Sequence, residues 1–269
     1  MAEAHAALAF TALCYDWDWK AAEDQLKRAL ELNPNYAPAH QWYSNLLAAR
    51  GRFDEAVDEI KRAQEIDPLS LMDKSITGWT YYHARRFDLA IAEVLRALEM
   101  DRTFGNGYMV LSMALEQKGQ VDESISAARR SLEILEGSTL PLFALGHALA
   151  VSKRRDEALA VVDRLKKTYE ESYASPYQIA VVYTGLQDHD RAFEWLEKAY
   201  ESHDEWLLWL GTEPKLDPLR SDPRLASLMA RVGLADCAAL RRANPERRPE
   251  AQDARSAGLP AEAVGRRPF

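Results

Sequence analysis

The side chains best suited to chemistry in this chain recur at a fixed interval. Asn45, Trp79, Met113 and His147 stand 34 residues apart, as do Met109, Phe143 and Tyr177, and Tyr82 and His83 follow Trp79 by three and four positions. Spacings of three and four fall on one helical stripe, so these nine residues are predicted to line one continuous surface. Its chemistry is adhesive, because large aromatic and methionine side chains in a desolvated centre carry most of the energy of a protein interface. Bond-making chemistry has no comparable pattern. There is no phosphate loop, kinase glycine loop, nucleophile elbow or histidine pair at metal spacing. The six histidines are dispersed, and Gly105-Asn106-Gly107 reads as a turn. No catalytic residue, no metal site and no cofactor is therefore expected.

The elements that must carry this surface are legible in a second set of columns. Ala22, Ala56, Ala90, Ser124, Ala158 and Ala192 form a grid of small residues at the same 34-residue interval. Four residues further on stand Leu26, Ile60, Val94, Ala128, Val162 and Leu196, and together the two columns make an apolar stripe on one helix face. An anchor column of Trp19, Phe53, Phe87, Val121, Arg155 and His189 loses its aromatic character toward the C-terminus. Gly51 and Gly119 fall where a first helix should end in a left-handed residue, with Arg85, Lys153 and Gln187 in the same slot elsewhere. A repeat of this length is one helix-turn-helix that buries its apolar face only against a neighbour. The fold class is therefore all-α, a right-handed α-solenoid of antiparallel helix pairs. Six repeats are expected at 3–36, 37–70, 71–104, 105–138, 139–172 and 173–206. Such units resemble tetratricopeptide repeats, which implies that the first helices line the concave side, with Glu59 and Glu93 on the second helices facing solvent.

The stretch GRFDEAVDEIKRAQEIDP, residues 51–68, resembles the second half of a tetratricopeptide repeat, and the resemblance extends over residues 3–206. It implies a non-catalytic interaction module that takes a peptide or protein segment in its concave groove. Of the lysine and asparagine pairs with which some family members clamp a terminal carboxylate, only Asn45 has a counterpart. The stretches YDWDWKAAEDQLKRALELNPNYAPAHQWYSNLLAARGRFDEA, SPYQIAVVYTGLQDHDRAFEWLEKAYE and LDPLRSDPRLASLMARVGL are similar to the C-terminal region of bacterial multidomain regulators. In those regulators the N-terminal part is a winged-helix domain, a serine/threonine kinase or a nucleotide cyclase. That resemblance implies, as the alternative, a sensory half of a transcriptional regulator or signalling kinase. Met1 falls inside the first repeat, so the effector half is expected to be missing.

Composition narrows the partner. A net charge of −8 over 269 residues leaves no broad basic field for phosphate backbones, so direct nucleic-acid binding is not expected. The run Ala6–Tyr15 follows Glu3 and lacks a basic start, so it reads as a first helix rather than a signal peptide. No membrane span is expected. Two isolated cysteines fit a reducing, cytoplasmic setting.

The ends depart from the period. Asp222-Pro223 reads as the start of a short helix, and residues 207–234 are expected to cap the apolar edge of the last repeat. Residues 235–269 carry seven arginines against five acidic residues and a single aromatic, Phe269, a composition expected to stay disordered. At the other end Met1 falls inside the first repeat, and no capping helix is expected before it. The apolar side around Ala6, Ala9 and Phe10 is thus expected to be open, and a homodimer through that N-terminal edge would cover it.

Overall fold

The structure, a computed structural model, describes residues 1–237. Within them lie thirteen α-helices and two 3-10 helices, and no strand occurs among the described residues. Twelve α-helices form consecutive antiparallel pairs: α1 (Ala2–Cys14) with α2 (Trp19–Leu32), α3 (Ala37–Ala49) with α4 (Phe53–Ile66), α5 (Leu71–His83) with α6 (Phe87–Met100). The series continues with α7 (Gly105–Gln117) and α8 (Val121–Ile134), α9 (Leu140–Val151) and α10 (Arg155–Glu171), α11 (Pro176–Gly185) and α12 (His189–Glu201). Each pair also packs on the next, which is the stacking of an α-solenoid.

Small residues let the two helices of a pair approach. Ala22, Ala56, Ala90, Ser124, Ala158 and Ala192 are all 0% exposed. A column of the first helices, Ser44, Gly78, Ser112, Gly146 and Ala180, is equally small and buried. A Cβ on Gly78 would sit 2.6 Å from Val94 Cγ1, so a glycine is required where α5 meets α6. The hydroxyls of Ser112 and Ser124 meet at 3.1 Å between α7 and α8. Phe10 occupies the same column in α1, is too large for it, and lies 39% exposed against the Trp42 ring at 5.3 Å.

Local chemistry starts and ends the helices. Asp18, Ser70, Ser175 and Asp188 each accept from the backbone N–H three residues on. The turn inside a pair passes through positive φ at Gly51 and Gly119, and equally at Arg85, Lys153 and Gln187. Each of those three L-residues pays about 1–2 kcal/mol for the left-handed conformation.

After α12 the alternation stops. Two 3-10 helices, η1 (Glu205–Trp209) and η2 (Pro214–Leu219), run against α11, and α13 (Pro223–Arg231) follows with Asp222 capping it through Arg224 N. Arg224 pairs with Asp190 and Arg231 with Glu197, each at 2.9 Å and each 34 residues back. The helix α13 therefore stands beside α12 as the second helix of a further unit would. Beyond it the chain meets its own beginning. Trp19 Nε1 donates to Val232 O at 2.7 Å, His203 Nδ1 lies 3.0 Å from Tyr15 O, and Trp17 stacks on Tyr200 and His203. Cys237 Sγ lies 3.5 Å from Ala49 O.

Residues 207–234 thus do more than cover the edge of the last pair. The six pairs curve far enough to bring the first turn beside the end of α12, and the terminal segment bridges the gap. Ala235–Cys237 are helical and Cys237 is buried, whereas the disorder expected further along concerns residues 238–269, outside the described residues. At the N-terminal edge Ala6 and Ala9 are buried against α2 and α3, and the exposed apolar groups are Leu8 and Phe10. No helix among the described residues is long and apolar enough to cross a membrane.

Candidate partner-binding groove

The concave columns come together as the periodicity requires, but much of the surface they make is already covered. Trp79, Tyr82, His83, Met109, Met113, Phe143, His147 and Tyr177 are all buried, and Asn45 is half-buried. An open groove at those eight positions is therefore corrected. Residues 204–219 of the same chain lie against Trp79, Tyr82, His83, Phe143 and Tyr177 there.

Aromatic contacts form the first part of this occupancy. The Trp206 ring lies 5.8 Å from Trp79, 5.8 Å from Phe143 and 6.4 Å from Tyr177, stacked on the last. Trp209 meets Trp79 edge-on at 5.3 Å and stacks on the His83 imidazole at 4.3 Å. Offset and edge-to-face arrangements of this kind add to what area burial alone contributes. Met109 and Met113 are buried in the same hydrophobic core.

A charged centre forms the second part. Glu116 Oε2 lies 2.6 Å from Lys215 Nζ, and Glu116 Oε1 lies 2.9 Å from His147 Nδ1. Burial alone would raise the Glu116 carboxyl, but the His147 imidazole and the Lys215 ammonium overcome it and hold the group at about 2. From the preceding unit Tyr82 donates its hydroxyl to Glu213, which also accepts from Lys215 N at 3.0 Å. Burial pushes the Glu213 carboxyl up, with the Lys215 charge and the Tyr82 bond working against that rise. Nearer the surface Arg85 pairs with Asp217 at 2.6 Å. Arg220 ties the segment to itself, donating to Leu210 O at 2.7 Å and Glu213 O at 2.9 Å. Asp204 starts it, accepting from Ser175 Oγ, Tyr177 N and Trp206 N.

The covering is incomplete toward the N-terminus. Ala7 and Thr11 of α1 are exposed, and Gln41, Trp42 and Asn45 of α3 are half-buried. Two second-helix carboxylates expected in solvent are instead bonded. Glu59 lies 2.6 Å from His40 Nδ1, while Glu93, 8% exposed, takes Gln64 and Arg96. Glu59 thus faces the first helix of its own pair, and Glu93 reaches the second helix of the preceding pair.

Sequence reasoning missed Trp206, Trp209, Glu213 and Lys215. Two of the seven tryptophans in a five-residue non-periodic stretch, EWLLW, were the available signal. Glu116 was a second one, a carboxylate in a column otherwise occupied by Cys14, Ala48, Tyr82, Ala150 and Thr184.

Three family profiles described as tetratricopeptide repeat match residues 18–73, 77–139 and 176–202, together more than half of the chain. The chain belongs to the tetratricopeptide repeat family, whose arrays are non-catalytic scaffolds. Between the matches lie 140–175, where the aromatic anchor has given way to Arg155. A tetratricopeptide repeat protein from Parabacteroides merdae superposes with a TM-score of 0.60 at 13% identity, covering 86% of this chain and 84% of that one. Pseudomonas aeruginosa PilF gives 0.52 at 16% identity, covering 77% of this chain and 94% of its own. No curated protein matches the chain.

Proposed function

We propose that this protein is a non-catalytic interaction module of six 34-residue units, closed by residues 207–234, that takes a segment of a protein partner on its concave side. One observation carries the reading. The concave columns already hold an irregular stretch of polypeptide through aromatic stacking and a buried Glu116–Lys215 pair. Surfaces that hold one such segment have the chemistry to hold another. The uncovered stretch around Ala7, Thr11, Gln41, Trp42 and Asn45 gives a partner direct access to the same side.

The test is affinity capture with the intact chain, comparing concave and convex variants. Gln41→Ala with Asn45→Ala should reduce capture of a co-purifying protein severalfold or more, whereas Asp58→Lys and Glu99→Lys on the exposed side should leave it unchanged. The reverse pattern sinks the concave assignment.

A second reading, self-association through α1, has one observation in its favour. Leu8 is 57% exposed and Phe10 39%, on a helix whose only titratable side chains apart from Cys14 are Glu3 and His5. Sedimentation of Leu8→Glu against the parent decides it, since a parent that is monomeric at tens of micromolar removes the reading.

A further inference from the structure

The segment in the groove displays what the groove recognises. Residues 205–219 form two short 3-10 helices, each capped by an acidic side chain, Asp204 and Glu213. Such helices have poorer hydrogen-bond geometry than α-helices and rarely persist alone. The segment is held by side chains reaching into the array, Trp206 and Trp209 in the aromatic cluster, Glu213 at Tyr82 and Lys215 at Glu116, and by Leu207, Leu210, Leu216 and Leu219, which are fully buried in the core. Its fit is imperfect. Tyr177 Oη and Thr212 Oγ1 are buried and make no hydrogen bond among the described residues. A buried polar group left unbonded forfeits its hydration without return. The chain enters the segment through His203, a non-glycine residue at φ 52, so the join to α12 is strained rather than relaxed.

We propose that residues 205–216 are an exchangeable occupant of the groove. The partner that displaces them is a protein segment with two aromatic side chains three residues apart and a lysine six residues after the second, the spacing of Trp206, Trp209 and Lys215. This rests on the concave side being the partner surface. Its lysine takes Glu116, its aromatics take the Trp79, His83, Phe143 and Tyr177 cluster, and a hydrogen-bonding group at the Tyr177 hydroxyl satisfies what the resident segment leaves open. The resident segment competes at the effective concentration of a tethered ligand, millimolar or above. The free partner consequently binds the intact chain more weakly than the site itself allows, by the fraction of chains in which the groove is empty.

The probe is a fluorescent synthetic peptide of residues 203–221, titrated against the full-length chain. Weakening the resident segment should strengthen peptide binding. Lys215→Ala in the chain is expected to tighten the peptide at least tenfold. Trp206→Ala, which leaves the buried ion pair intact, is expected to do the same if Lys215→Ala folds poorly. The peptide carrying its own Lys215→Ala, or a chain also carrying Glu116→Gln, should lose at least tenfold. Hydrogen exchange at 205–216 should accelerate when the intact chain is saturated with peptide. If neither variant binds more tightly and amides 205–216 remain as protected as those of α5 and α7, the segment is permanent core and the exchange proposal is overturned. The uncovered α1–α3 stretch then still stands as a partner surface. Should 205–216 be released in the variants while the peptide fails to bind, the concave partner reading itself falls. Variants that form dimers without binding peptide would overturn the proposal in favour of exchange between copies.

Discussion

The two ends of the concave side use the same positions in the same repeat and come out opposite. In α1 and α3 the lining positions hold Ala7, Thr11, Gln41 and Asn45, small or amide side chains that remain exposed or half-buried. Further along, the equivalent positions hold Trp79, Met109, Met113, Phe143, His147 and Tyr177, all buried beneath or beside the returning chain. Backbone periodicity decides where a side chain points. Its size and polarity decide whether the chain's own C-terminal segment is drawn in, because only the aromatic stretch repays the ordering of a dozen residues.

This contrast can be broken most directly at its charged centre. Lys215→Ala leaves Glu116 buried without its ammonium partner, and removing one member of a buried pair costs about 3–5 kcal/mol. Lys20→Ala, which removes the exposed pair with Asp24, should leave the denaturation midpoint unmoved. Equal effects would mean that the groove is not closed in solution. Next comes the aromatic wall. Trp79→Ala should cost about 3–4 kcal/mol in urea unfolding, as for other buried large-to-small changes, while Thr11→Ala at the open end should be silent.

Acid separates the two ends in a different way. The Glu116 carboxyl is held at about 2 in the folded chain, below its ordinary 4.5. It therefore contributes stability that is fully present above pH 4.5 and is lost as pH falls toward 2. Glu213 acts in the opposite sense, since a raised carboxyl favours the fold while protonated and loses that advantage as pH rises through its folded value. Glu116→Gln leaves Glu213 in place, so the stability gap between parent and variant should narrow steadily between pH 4.5 and 2. A constant gap across that window would show that Glu116 is not held by Lys215 and His147. The smallest expected effect lies outside the groove. Lys153 holds φ 65 in the slot where other pairs have glycine, so Lys153→Gly should stabilise by about 0.5–1 kcal/mol, read as a raised midpoint.

The pairing of helices was readable from sequence because its determinants are local and repeat: the small residues around Ala90, the capping side chains, and the left-handed turn residues. The lining of the groove was readable for the same reason, as columns of a known period. Its occupancy was not. Tyr82 and Glu213 are 131 residues apart, Trp19 and Val232 are 213 apart, and neither contact leaves a periodic trace. Lys215 and Glu213 also carry the residue types that ordinarily mark solvent, so only their partners across the molecule explain their burial.

The joining of first and last pairs, through Trp19 with Val232 and Trp17 with His203, changes the kind of cooperativity open to the molecule. A linear array with neighbour-only contacts melts inward from its ends, each unit lost nearly independently. Once the first and last pairs are bonded to each other, neither is left with a neighbour on one side only. Losing any one unit also removes the closure that supports all the others. Such a chain should unfold as one unit and fold slowly, because its closing contacts demand the ordering of more than two hundred intervening residues.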